Sequence, residues 1–415
     1  MSASSVLRAL AHAPFRVYFA GQAVSILGTW IQQVALSWLV YRLTGSSLLL
    51  GVTAFCALIP QLVVGPLAGA WIDRQNKRLW LMGVQFVLAT QAFVLAALTW
   101  SGVITPGIIV AMSLLLGLMN SFDTPLRQSL IASFVGRRED LPNALALNAM
   151  LFNSGRFIGP PLAGLLLGLT SEAMCFALNG MSFAGLIIGM AWLRGVEPPR
   201  ASGSMGQVFR EGLAYAWHTW TVRMLIVTLA TLNITASAYA VLLPVFAREV
   251  FAGDARTLGW LWGAAGAGAL VSTLVLASRR SVPGVVTAVL GGAIIAAVGL
   301  AVFASTHTLV FALPAMACVG SGISVTNVGV NMLLQSMAPE PLRGRVVSFF
   351  SSTRFGFDAL GGLIAGAIAA RFGPGPTLLG EAAVLAVAIS YLWTLRRRMV
   401  GEVREAERVA RGRVE

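Results

Sequence analysis

Apolar residues run through this chain in long blocks, separated by short polar breaks rich in arginine, glycine and proline. A helix needs about 20 apolar residues to cross a bilayer, and blocks of that size lie near 17–41, 48–72, 79–100, 106–127, 143–170 and 172–193. A second set follows near 223–247, 257–278, 284–305, 308–333, 346–370 and 375–395. Only 194–222, with Arg194, Glu197, Pro198, Pro199, Arg200 and Arg210, forms a long polar interior stretch. The pattern predicts an all-α membrane protein of twelve transmembrane helices. Six occupy 1–193, a linker covers 194–222, six more occupy 223–395, and a charged tail covers 396–415.

Composition supports lipid as the main solvent. Hydrophobic residues make up 57% of the 415 positions and charged residues 11%, against about 25% charged in a soluble domain. That leaves no room for a soluble catalytic domain. A formal net charge of +13 would suggest nucleic acid in a soluble protein, but here the placement of the charge matters more. Alternate loops carry Arg74, Lys77 and Arg78, then Arg137 and Arg138, then the linker set, Arg279 and Arg280, Arg343 and Arg345, and Arg396, Arg397 and Arg398. The opposite loops hold only Arg42, Arg248, Arg256 and Arg371. Positive charge stays on the cytoplasmic side, so both termini are expected there, with the N-terminus retained rather than cleaved.

Several function classes find no residues to carry them. Cys56, Cys175 and Cys318 are isolated within apolar stretches and read as small buried thiols, not as disulfides or metal ligands. His12, His218 and His307 have no metal-ligand spacing. No phosphate-binding loop is present, so no nucleotide-driven step, metal or cofactor is expected. A membrane-embedded transferase would need acids or histidines clustered near one interface, and none are.

The two halves repeat. Gly159-Pro160 and Ala163-Gly164 in the fifth block correspond to Gly361-Gly362 and Ala365-Gly366 in the eleventh, and Gln128-Ser129 corresponds to Gln335-Ser336. Parallel repeats of this kind mark transporters that rock one half against the other.

The stretch Gly69-Ala70-Trp71-Ile72-Asp73-Arg74-Gln75-Asn76-Lys77-Arg78 resembles the GxxxDRxGRR/K motif of the major facilitator superfamily. Trp71 stands for a small aliphatic residue and Asn76 for the second glycine; asparagine tolerates the left-handed backbone better than most. Gly155, Gly159 and Pro160, followed by Gly164, resemble the GxxxGP element of the antiporter branch. Gly28-Thr29-Trp30-Ile31-Gln32-Gln33, Phe122-Asp123-Thr124-Pro125-Leu126-Arg127-Gln128 and Leu342-Arg343-Gly344-Arg345-Val346 are similar to the efflux group that includes the enterobactin exporter. The resemblance implies the major facilitator fold, two pseudo-symmetric six-helix bundles, and export of a small organic molecule across the bacterial inner membrane by a monomer. A facilitator or importer of an organic solute is the alternative. It also implies that Asp123 meets Lys77 in a conformational latch with Gly69, Asp73, Arg74 and Arg78.

Two charges sit in mid-span, where they are costly and usually face a cavity or a partner. The repeat places Arg156 opposite Asp358 in the alignment. Asp358 is a candidate for proton coupling with Arg156, or else half of a fixed ion pair. Gln22, Ser25, Thr29, Gln32 and Gln33 recur along the first span, Asn233 and Tyr239 lie on the seventh, and Asn327 and Asn331 on the tenth. In the family's architecture these spans line the central cavity, which makes this set the candidate substrate site. Small organic cargo, protons and the bilayer are the expected partners, with no nucleic acid.

Overall fold

The computed structural model describes residues 7–72, 75–192, 217–277, 282–339 and 343–411. Asp73, Arg74, Arg279, Arg280 and nearly all of the linker lie outside the described residues. Among those described, no strand occurs, and ten helices are long and apolar enough to cross a membrane.

Both of the other expected spans have a local cause for falling short. The second block forms α2 (Ser47–Val63) and α3 (Gly65–Ile72) in place of a single helix. Pro66 has no N–H to return to an upstream carbonyl, but it fits the first turn of a new helix. The fifth block is long enough as Leu141–Leu169, but Asn143, Asn148, Asn153, Ser154 and Arg156 dilute its hydropathy.

The chain packs as two compact units, Met1–Gly45 with Val63–Gly203 and Gly253–Gly263, and Ser46–Leu62 with Ser204–Ala252 and Ala264–Glu415. The first holds α1 (Ala13–Thr44), α3, α4 (Lys77–Trp100), α5 (Pro106–Phe134), α6 (Leu141–Leu169) and α7 (Glu172–Trp192). The second holds α2, α8 (Trp220–Thr235), α9 (Tyr239–Val245), most of α10 (Ala255–Ala277), and α11 (Val282–Ser305). It continues through α12 (Leu309–Met337), α13 (Arg343–Phe372), α14 (Pro374–Thr394) and α15 (Arg396–Arg411). Each unit therefore includes a segment distant in sequence: α2 joins the second, and the first turns of α10 join the first.

In the first unit Phe15, Tyr18, Leu81, Leu130, Phe134 and Leu186 pack as one core cluster. A clip closes one end of that unit. His12 Nε2 and Asp140 Oδ2 are 3.0 Å apart, the Gly136 N–H donates to His12 Nδ1, and the Ala9 N–H donates to Asn143 Oδ1 at 2.9 Å. The His12 hydrogen bond, helped by Arg8, holds the Asp140 carboxyl below the usual carboxylate range. A depressed carboxylate adds stability above its unfolded value, so the clip is complete at neutral pH and weakens only as acid protonates Asp140.

The charged tail forms a helix that buries one face. Met399 and Val403 of α15 are buried against Leu225, Leu229, Val286, Leu333 and Val346. Full burial of such side chains contributes about 1.5–3 kcal/mol each. Met399→Asp is expected to release α15 and to speed tryptic cleavage after Arg396 to Arg398 several-fold, read as a time course on gels.

Candidate functional site

Short polar side chains tie the helices of each unit together. In the first unit, Gln32 on α1 donates from Nε2 to Gln91 Oε1 on α4 at 3.1 Å. Asn179 Nδ2 on α7 donates to Gln32 Oε1 at 2.8 Å, and Ser182 Oγ donates to Asn179 Oδ1 at 3.0 Å. All four side chains are buried. An amide buried away from water must find a partner, and this chain of amides fixes the rotation of three helices at once. Gln22 and Ser25 are buried on the same helix, while Thr29 and Gln33 are exposed. Thr29 is tied back to the Ser25 carbonyl at 2.8 Å.

The second unit builds a comparable cluster where its helix is irregular. After α8 the backbone tightens into a 3-10 turn, Ala236–Ala238, before α9, and ends in a π-turn, Phe246–Val250. Such departures often mark functional positions. Asn233 Nδ2 donates to Asn327 Oδ1 on α12 at 3.2 Å, and Ser237 Oγ donates to Asn233 Oδ1 at 3.2 Å. Tyr239 is buried just beyond. Asn331, half-buried, accepts from Gln335 at 3.1 Å.

The basic end of α4 acts through helix caps. Asn76 is extended, with φ −71°, and its side chain accepts from the Leu79 N–H at 3.2 Å. The left-handed backbone expected there is not adopted; asparagine serves as an N-cap instead. Arg78 donates to the Met190 and Ala191 carbonyls at 2.7 and 2.8 Å. These are orphan acceptors at the end of α7, where a cation also complements the helix dipole. Lys77 is buried, and Trp71 packs edge-on to Trp80 at 4.2 Å.

Asp123 is held by two groups missed in the sequence. Arg127 Nε donates to its Oδ2 at 2.6 Å, one turn along α5, and Gln85 Nε2 of α4 donates to Oδ1 at 2.5 Å. The Arg127 and Asp123 side chains are only 7% and 14% exposed. Spacing of four residues could have suggested the Arg127 pair; Gln85 had no local signal.

The glycines of the antiporter-type element sit where helices touch. A Cβ on Gly155 would strike Ile26, and one on Gly159 would strike Trp30 at 2.5 Å. A Cβ on Gly164 would lie 2.7 Å from the Ala255 carbonyl, and one on Gly259 would lie 2.7 Å from the Pro160 carbonyl. The second unit repeats this seam. A Cβ on Gly366 would lie 2.5 Å from the Ser47 carbonyl, and one on Gly51 would lie 2.7 Å from the Gly362 carbonyl. Ser47 Oγ also donates to the Gly366 carbonyl at 3.1 Å. Gly164 and Gly366 are the positions that the internal repeat aligns.

Arg156 is half-buried on α6 in the first unit, and Asp358 lies on α13 in the second, one turn beyond Arg354. Glu381 on α14 is 8% exposed with neither carboxylate oxygen hydrogen-bonded. No group of His, Cys, Asp and Glu among the described residues could hold a metal ion. All three cysteines are free; Cys175 is buried as expected, Cys56 half-buried and Cys318 exposed.

Long apolar helices, tied by buried amide clusters and a repeated glycine seam, define a polytopic helical membrane protein. From residue 4 to 411 the chain matches the family described as transmembrane secretion effector, and it belongs to that family of the major facilitator superfamily. It is a transporter, not an enzyme. It is 27% identical to the multidrug efflux pump Tap of Mycolicibacterium fortuitum over 85% of this chain and 88% of the relative. It is 26% identical to the staphyloferrin A transporter of Staphylococcus aureus over 63% of this chain, spanning 66% of that protein. The nucleoside transporter NupG shares the fold with a TM-score of 0.71 and 13% identity, over 92% of this chain and 98% of that one. A bacterial homolog of the human lysosomal transporter Spinster does so with a TM-score of 0.72 and 13% identity, over 94% and 97%.

Proposed function

We propose that this chain exports a small amphipathic organic molecule across the bacterial inner membrane by alternating access, in exchange for protons. The observation that carries the reading is the paired seam, Gly164 on Gly259 and Gly366 on Gly51. A carrier that rocks two repeated six-helix halves, 1–193 and 223–395, needs equivalent contacts that can part and reform. The efflux and siderophore names among the relatives support small organic cargo. Buried amides at Gln32, Asn233 and Asn327, with the half-buried Ser237 hydroxyl beside Asn233, suit such a molecule better than an inorganic ion. Both termini face the cytoplasm in this reading, the carrier works as a monomer, and the Asp73 to Arg78 segment with Asp123 biases which state is populated.

Asp358 takes and releases the proton, with Arg156 as its counter-charge in one state. The test is uptake of a compound panel into energised inverted vesicles, with and without uncoupler. Asp358→Asn should abolish uphill accumulation, at least tenfold, while downhill exchange persists. Full accumulation by this variant at equal protein level would move coupling elsewhere.

A further inference from the structure

At one end of the second unit, away from the amide clusters and glycine seams, α8, α14 and α15 leave a groove of about 470 Å³. Its wall is apolar on one side, where Met224, Val227, Ala388 and Leu395 line it. Its rim is cationic, where Arg223 and Arg398 line it beside Trp220 and Tyr391. The Arg398 guanidinium stacks 4.0 Å above the Trp220 ring, and its Nε donates to Glu402 at 3.2 Å. Thr221 holds the other Glu402 oxygen at 2.6 Å. Arg223 donates to the Trp217 carbonyl at 3.4 Å, and Arg396 lies 4.5 Å over Trp393. These contacts fix guanidinium groups at the rim, although the Arg398 side chain stays 61% exposed.

Glu402 is the acid that these contacts bring to the rim, and the two lining arginines, Arg223 and Arg398, outnumber it. Trp217, Tyr391 and Val227 are exposed at this same end. Exposed tryptophan and tyrosine at the ends of apolar helices belong at the membrane–water boundary. A free anion would have no use for the apolar wall, and an acyl chain would have none for the arginines. One molecule class supplies both.

We propose that this groove binds an anionic phospholipid, with its phosphate on Arg223 and Arg398 and its first acyl carbons along Val227 and Ala388. Cationic pockets between membrane helices are known to hold such headgroups. The site is independent of the cargo pathway, so it stands or falls separately from the export reading.

Native mass spectrometry of the full-length protein in mild detergent tests it, with phosphatidylglycerol, phosphatidylcholine or inorganic phosphate added. Phosphatidylglycerol should be retained above phosphatidylcholine. Arg223→Gln and Arg398→Gln should each weaken it about five-fold, and together about 25-fold. Ala388→Trp fills the groove without changing charge and should weaken it similarly, with thermal unfolding unchanged from the parent. Undiminished phosphatidylglycerol in both the double variant and Ala388→Trp would overturn the proposal. Its displacement by millimolar inorganic phosphate would also do so, by making the groove a free-anion site.

Discussion

Replacing Gly366 with leucine is expected to cut transport at least a hundredfold while the protein still inserts and purifies. Leucine at this position would drive its Cβ into the Ser47 carbonyl and the backbone of Gly51, where no flexible side chain can yield. Gly164→Leu should do the same through the Ala255 carbonyl and Gly259. Small residues at membrane helix contacts let backbones approach, and there is little hydrophobic force in lipid to restore a contact once it is wedged open. Each variant should therefore strand the carrier with its own seam parted, and in Gly366→Leu the accessibility of a cysteine at Ser47 to a polar maleimide should rise. Unchanged transport in both variants, with unchanged labelling in Gly366→Leu, would show that the seams are passive packing.

The second large effect is on stability. Arg127→Ala leaves Asp123 with Gln85 as its remaining charge-stabilising donor among the hydrogen bonds described. Breaking one side of a largely buried ion pair costs about 3–5 kcal/mol, and melting in detergent should fall accordingly. Lysine should restore less than half, because its compact, strongly hydrated ammonium is costlier to bury than a guanidinium and has no donor at the Nε position that reaches Asp123. The double variant Asp123→Asn with Arg127→Ala should be milder than Arg127→Ala alone, since no charge is left stranded. Equal melting of Arg127→Ala and the parent would mean that the pair contributes nothing.

The fold was legible because lipid imposes a length rule, and ten of the twelve apolar blocks meet it as single helical spans. The break before Gly65-Pro66 was also written locally, in a residue that lacks its N–H. Asn233 and Asn327 stood out as polar residues in apolar spans, and they meet. Gln85, Gln91 and Asn179 matter through a partner on another helix, which no local pattern in the sequence shows. Gly51 and Gly259 were hidden for a different reason. Among 44 glycines, nothing in the sequence marks the few whose missing Cβ admits a neighbouring backbone. The burial of Glu381 is likewise a property of what surrounds α14.

The exchange of segments between the two units sets an order on biogenesis. Ser47 and Gly366, joined by a hydrogen bond, are 319 residues apart. At about 5–20 residues per second of synthesis, α2 waits roughly 16–60 s in the membrane before its partner helix exists. Until then the face around Gly51 meets lipid or a helper helix of the insertion machinery, and nascent chains stopped before Gly366 should be unusually sensitive to protease.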